Sequence, residues 1–343
     1  MDATYRDLVL NVPPPSGNNN NLYDQSGLDS LVTVMRAMYA SRLGVCDSPL
    51  GDAEGAQRNP IIKYSLRSFA GARKEAQEIE AKDLALIDMD KPEINKPTPP
   101  PTFFNLATSR LMNETFWARE EHILFTAMMR PSWDAPFMTR LAPTRPELRA
   151  KAASDSLLLF DRGAKDRGKT LNQFMAEHFT ADEDPDTGAV TLRKCNEPGF
   201  IRILYQGNTN EPLELDALRS IQVPVGQLVQ TGDGKGTAYD PCHHRRVYHL
   251  LAVVRLRRST TGCDWVQVFV PPSITPVKPV VPSPYINRDD LWSMDHATGQ
   301  YGGFMLFYRC SPKDVELPSQ VDHKVPQEQS DEAIQRLVNI LDK

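Results

Sequence analysis

From residue 189 onward the chain is a succession of short β-branched and aromatic runs: AVTLRK, GFIRILYQ, RSIQVPV, VYHLLAVVRL, DWVQVFV and FMLFYRC. Runs of this length and composition, separated by turn-forming residues, predict strands. Joined one after another, they predict a mainly antiparallel sheet. The first half of the chain carries a different period. Leu28, Leu31, Val32, Met35, Met38 and Tyr39 recur at helical spacing, so 27–42 is expected to be a helix with one strongly apolar face. Further helices are expected at 70–85, 105–129, 146–160 and 169–180, the last with Leu171, Phe174, Met175 and His178 on one side. Helices first and a sheet afterwards define an α+β chain. The tail SDEAIQRLVNILDK (330–343) has Ile334, Leu337, Val338 and Leu341 at helical spacing, and predicts a closing amphipathic helix.

The 28 prolines bound this pattern. They concentrate in VPPPSGNNNN, KPEINKPTPPP and VPPSITPVKPVVPSP, too densely for a helix or a central strand. The expected organisation is a disordered lead-in over 1–20, a body over 21–312 and a C-terminal extension over 313–343. Within the body, 21–180 is helical with an insertion near 88–102, and 181–312 carries the sheet. A net charge of −5 argues against nucleic acid, whose phosphates need a cationic surface. With no apolar run of membrane-spanning length and no signal-like start, the protein is expected in the cytoplasm or nucleus. Cys46, Cys195, Cys242, Cys263 and Cys310 form no close pairs and are odd in number, as suits free thiols in a reducing compartment.

The order of these elements resembles the ubiquitin-specific protease family. In that family a helix starts at the nucleophilic cysteine within a segment like G-N-T-C-Y-L-N-S-x-L-Q. Y-D-Q-S-G-L-D-S-L-V-T lies on it without gaps, with Leu28 and Ser30 on the family's Leu and Ser, Asp24 at its Asn, and Ser26 at its nucleophile. KTLNQFMAEHF resembles the helix before the family's fingers, EPGFIRILYQ its P-x-x-L-x-I strand, and RSIQVPVGQL the strand after that. YHLLAVVRL resembles the strand leading to the catalytic histidine, and FMLFYRC the closing Y-x-L-F-Y strand. The resemblance covers about 22–45 and 165–310. It implies a papain-like fold of the ubiquitin-specific-protease type, with a helical thumb, an antiparallel-sheet palm and reduced fingers. It also implies ubiquitin or a ubiquitin-like protein as partner.

The chemistry of that family is not carried over with its motifs. A thiol protease needs a thiolate, an imidazole in contact with it and a group that orients the imidazole. A helix N-terminus supplies about 0.3–1 kcal/mol toward ionisation, enough to help a thiol and far too little for an alcohol. Ser26 would need a base at hydrogen-bond distance, and the family's G-H-Y is here T-G-C-D-W, which puts Cys263 at the imidazole position. Asp295, in D-D-L-W-S-M-D-H, is the candidate for the third position, one residue off the family's spacing. No catalytic group is therefore expected. The plain expectation for Ser26 is the N-cap of the 27–42 helix, in an S-x-x-acid start with Asp29. The competing possibility is an active hydrolase that uses Ser26, or a rearranged dyad with His296. A third is an unrelated α+β interaction protein.

The remaining signals are weaker. Cys195, Cys242, His243 and His244 lack paired metal-ligand spacing, so no metal and no other cofactor is expected. RLRR (255–258) is expected to be a solvated strand end, GDGKG (232–236) a hairpin turn, and YGGF (301–304) a tight turn or bulge entering the last strand. His249, on the strand before position 263, is expected to lie tens of ångströms from it.

Overall fold

A computed structural model describes residues 22–42, 57–66, 102–130, 138–139, 145–179, 181–207, 214–230, 237–257, 262–277 and 301–311. The expected helices at 70–85 and 330–343, the lead-in and the extension lie outside these residues.

The helical half is more broken than its periodicity suggests. Helix α1 spans Leu22–Arg42 and α2 spans Pro60–Ser65, which Asn59 caps through its side chain. The expected helix at 105–129 is instead α3 (Phe103–Ala107), α4 (Arg110–Glu114), a 3-10 turn at Glu120–His122 and strand β1 (Phe125–Arg130). Small polar residues divide it. Thr102 and Ser109 cap two separate helices, while the Thr108 and Thr115 hydroxyls bond back to Phe104 O and Leu111 O. Trp117 then donates its indole N–H to Ala107 O at 2.7 Å, which turns the chain out of the helical path. Strand β2 is Met138–Thr139. The expected helix at 146–160 ends early: α5 spans Pro146–Asp155 and strand β3 spans Leu157–Asp161. Helix α6 (Leu171–Glu177) opens on a capping box between Thr170 and Gln173.

The strand half follows the sequence closely. After β4 (Ala181–Glu183) come β5 (Val190–Cys195), β6 (Phe200–Gln206), β7 (Ser220–Gln230), β8 (Thr237–Arg257), β9 (Trp265–Val268) and β10 (Tyr301–Cys310). Two sheets form rather than one. The first has the order β2-β1-β5-β4; the second runs β3-β6-β10-β8-β7, with β9 added on β8. All pairings are antiparallel except β3 on β6, because β3 belongs to the helical half and enters the sheet from there. β7 and β8 pair from Gln230↔Thr237 onward, so GDGKG joins two antiparallel strands, although the turn itself lies outside the described residues. At YGGF the register shifts between Tyr301 and Phe304, and Gly303 takes φ +103°, the bulge the sequence suggests.

The larger sheet is buried on both faces, which is why its strands read as continuous apolar runs. Phe200, Leu204, Met305 and Phe307 face the core shared with α1 to α4. Ile201, Ile203, Tyr205, Phe304, Leu306 and Tyr308 face a second core with Leu171, Phe174 and Met175 of α6. In β8 the alternation slips where Leu251 is the extra residue between the pairs Tyr308↔Leu250 and Phe307↔Ala252. This bulge turns Leu251 and Ala252 to the same side, toward α1.

Helix α1 packs on β8, β9, α2 and α3. It lacks the expected solvated back. From Ser26 to Ala40 every residue is buried except Thr33. A helix enclosed on all sides is a core element, and this one takes Ser26, Asp29, Ser30 and Arg36 into the interior.

Candidate functional site

Ser26 does not cap α1. The helix begins at Leu22, so Ser26 is its fifth residue and fully buried. The S-x-x-acid signal fails because the preceding YDQ continues the helical path instead of breaking it. One turn in from the helix start, Ser26 also loses most of the macrodipole's help.

The β8–β9 connection comes back onto this point. Arg255 pairs with Trp265, which places Cys263 and Asp264 at the mouth of the connection, beside the first turns of α1. The Asp264 backbone N–H donates to Ser26 Oγ at 3.1 Å. Cys263, half-buried, directly precedes Asp264 and so lies next to Ser26. The two positions that resemble nucleophile and base are therefore neighbours in space. Burial pushes the Cys263 thiol up, with the Ser26 contact and the charge of Arg257 opposing. A raised thiol stays protonated at neutral pH and is a poor nucleophile.

Asp264 is the residue that sequence reasoning missed. It is 1% exposed. Its carboxylate accepts from the backbone N–H groups of Phe103 (2.9 Å) and Arg257 (3.0 Å), and lies 3.5 Å from Arg257 Nε. Phe103 is the first residue of α3, so Asp264 meets one of the N–H groups that a helix start leaves unpaired. Arg257 in turn reaches Gly262 O at 3.3 Å. Burial raises the Asp264 carboxyl, and its N–H donors and Arg257 counter that rise. The only hint in the sequence was an acid wedged between Cys263 and an apolar strand, where a surface residue has no reason to sit.

RLRR is correspondingly not a solvated strand end in its described part. Arg255 and Arg257 are buried, the first over the Trp265 ring at 5.0 Å and the second against Asp264.

The described imidazoles are engaged elsewhere. His122 packs on Phe116, which packs on Tyr39, thirteen residues or roughly 20 Å along α1 from Ser26. His178 Nδ1 lies 2.9 Å from Phe174 O, and its ring stacks on Phe125. His244 is exposed and 3.7 Å from Glu197. His249 pairs with Ser220 and Arg309 on β7 and β10, eight residues or about 26 Å of strand from Arg257. Asp295 and His296 lie outside the described residues, as do the side chains of Asp24, Cys242 and His243; Asp24 sits in the first turn of α1. Cys195 is buried, its thiol pushed up to about 12 by that burial. Among the described residues no group of three or more His, Cys, Asp or Glu could hold a metal ion. None of the described helices is long and apolar enough to cross a membrane.

No family model and no curated protein matches this chain. Among solved structures it is similar to the pseudoubiquitin hydrolase–RNA exonuclease module of Saccharomyces cerevisiae Pan2, at 12% identity and a TM-score of 0.31. The match covers 91% of this chain and 57% of that one, so the chain spans little more than half of the structure it matches. A likeness of that size carries no argument about function. The fold defines a mixed α and β protein, with a buried helix against a six-stranded, mostly antiparallel sheet.

Proposed function

We propose that this chain is a ubiquitin-specific-protease-like domain without peptidase activity, acting as a ubiquitin- or protein-binding module. The observation that carries the proposal is the bond from Asp264 N–H to Ser26 Oγ, which sets Cys263 beside Ser26. The two residues at the positions that resemble the family's thiol and imidazole are thus neighbours, and neither can do the other's chemistry. An alcohol needs a base to take its proton. A thiol whose own proton is held more tightly than usual is no such base at neutral pH, and it is not activated as a nucleophile either. Asp264 is spent on two backbone N–H groups and Arg257, so it orients no imidazole.

The packing of α1 on β8 fits the same reading, because β8 carries YHLLAVVRL, which resembles the strand leading to the family's catalytic histidine. Loss of the reacting groups leaves the body available for recognition. Calorimetric titration of the full chain with ubiquitin tests the proposal. Saturable binding is expected; no heat at ubiquitin concentrations up to the millimolar range would remove ubiquitin as the partner.

A further inference from the structure

The contacts around Ser26 bear on how a partner is held, not only on whether chemistry occurs. Ser26 Oγ, fully buried, accepts the Asp264 N–H at 3.1 Å, and Cys263 is the next residue along the chain. The Asp264 carboxylate holds Phe103 N–H at the start of α3 and Arg257 N–H at the end of β8. Phe103 is itself fully buried, edge-on to Phe307 at 6.0 Å. One acid thus gathers α1, α3, β8 and β9 at a single point.

Resting on the proposed binding role, we infer that this joint closes the Ser26 position to any peptide tail, and that a ubiquitin-fold partner is recognised by its folded surface without its C-terminal tail inserted. A tail threaded to Ser26 would have to open a fully buried position and break the bond from Asp264 N–H, leaving that buried donor without its acceptor. Contacts on the outer surface require neither step. Asp264 acts here as a positioning residue: it touches no partner and keeps the joint shut.

Two experiments on the full-length chain test this independently. Ser26→Cys puts a thiol reporter in the joint, read by iodoacetamide labelling and peptide mass spectrometry. The thiol at position 26 should react at least about 100-fold more slowly in the native protein than in urea, as a core position does. Adding Asp264→Ala should speed the native reaction at least about tenfold while the circular dichroism spectrum stays folded. Labelling at position 26 as fast as in urea, or a rate indifferent to Asp264→Ala, would overturn the closure. Should Ser26→Cys not fold, amide exchange in the unmodified chain tests the same closure. The Asp264 N–H should exchange with the slow amides of β8, and exchange at loop rates would count against the joint. For the partner, ubiquitin lacking its C-terminal tail should bind within about twofold of intact ubiquitin. A loss of tenfold or more on truncation would overturn tail-independent recognition. If neither form binds, the binding module falls and the statement about its partner falls with it, while the labelling result still judges the closure.

Discussion

Acidification should destabilise this protein through one imidazole in particular. His122 is 3% exposed, with its ring 4.6 Å from Phe116, 5.4 Å from Trp117 and 5.7 Å from Phe200. Nδ1 lies 2.7 Å from Phe116 O, and a carbonyl only accepts, so Nδ1 carries the proton and the neutral ring leaves Nε2 bare. Nε2 is buried with no hydrogen-bond partner. Protonating it would place a charge among aromatic rings with nothing to receive the new N–H. Burial, opposed by Glu121 and the Phe116 carbonyl and assisted by Arg119 and Arg202, takes the pKa from 6.5 to about 3. The folded pKa is depressed, so the unfolded chain takes up a proton below pH 6.5 that the folded chain refuses. The contribution to stability is complete above pH 6.5 and is lost as the pH falls toward 3. At about 1.4 kcal/mol per pH unit below 6.5, moving from pH 7 to 4.5 costs about 2–3 kcal/mol from this group. His122→Gln keeps an N–H donor for Phe116 O and does not titrate. Urea unfolding of both proteins at pH 7 and 4.5 should show the wild type losing about 2–3 kcal/mol more than the variant. Equal losses, or an NMR titration of His122 with its midpoint near 6.5, would refute the reasoning.

Three further outcomes are expected from local geometry. The raised Cys195 thiol makes stability complete below about pH 9 and falling above it by about 1.4 kcal/mol per unit; Cys195→Ala should flatten that slope in urea melts at pH 8 and 10. Gly303→Ala sets a Cβ 2.7 Å from Tyr205 O at a φ of +103°, and should cost about 1–3 kcal/mol in the same assay. Thr170→Ala removes one half of the α6 capping box and should cost about 1 kcal/mol.

The strands after residue 189 were legible because burial on both faces wrote itself into the sequence as apolar runs, broken by Arg202 alone from Phe200 to Tyr205 and unbroken from Phe304 to Tyr308. The helices were less so. Phe125–Arg130 and Leu157–Asp161 carry enough Met, Ala and Leu to continue a helical period, and only their pairing with β5 and β6 makes them strands. Ser26 was misplaced for a related reason: local sequence suggested a cap, whereas α1 already starts at Leu22 and takes Ser26 into the core. That Ser26 and Cys263 would meet was readable only through the family resemblance, since 236 intervening residues leave no local trace of the contact. The partners of Asp264 were not readable by either route, although its place between Cys263 and an apolar strand was a hint of burial. Its role depends on backbone N–H groups from Phe103 and Arg257, and backbone donors have no signature in side-chain identity.

The most direct measurement of whether this joint is structural or chemical is turnover of ubiquitin carrying a C-terminal fluorophore, by the wild-type chain and by Ser26→Ala. A buried alcohol beside a protonated thiol predicts no release of fluorophore above the uncatalysed rate for either protein. Release by the wild type that Ser26→Ala abolishes would contradict it.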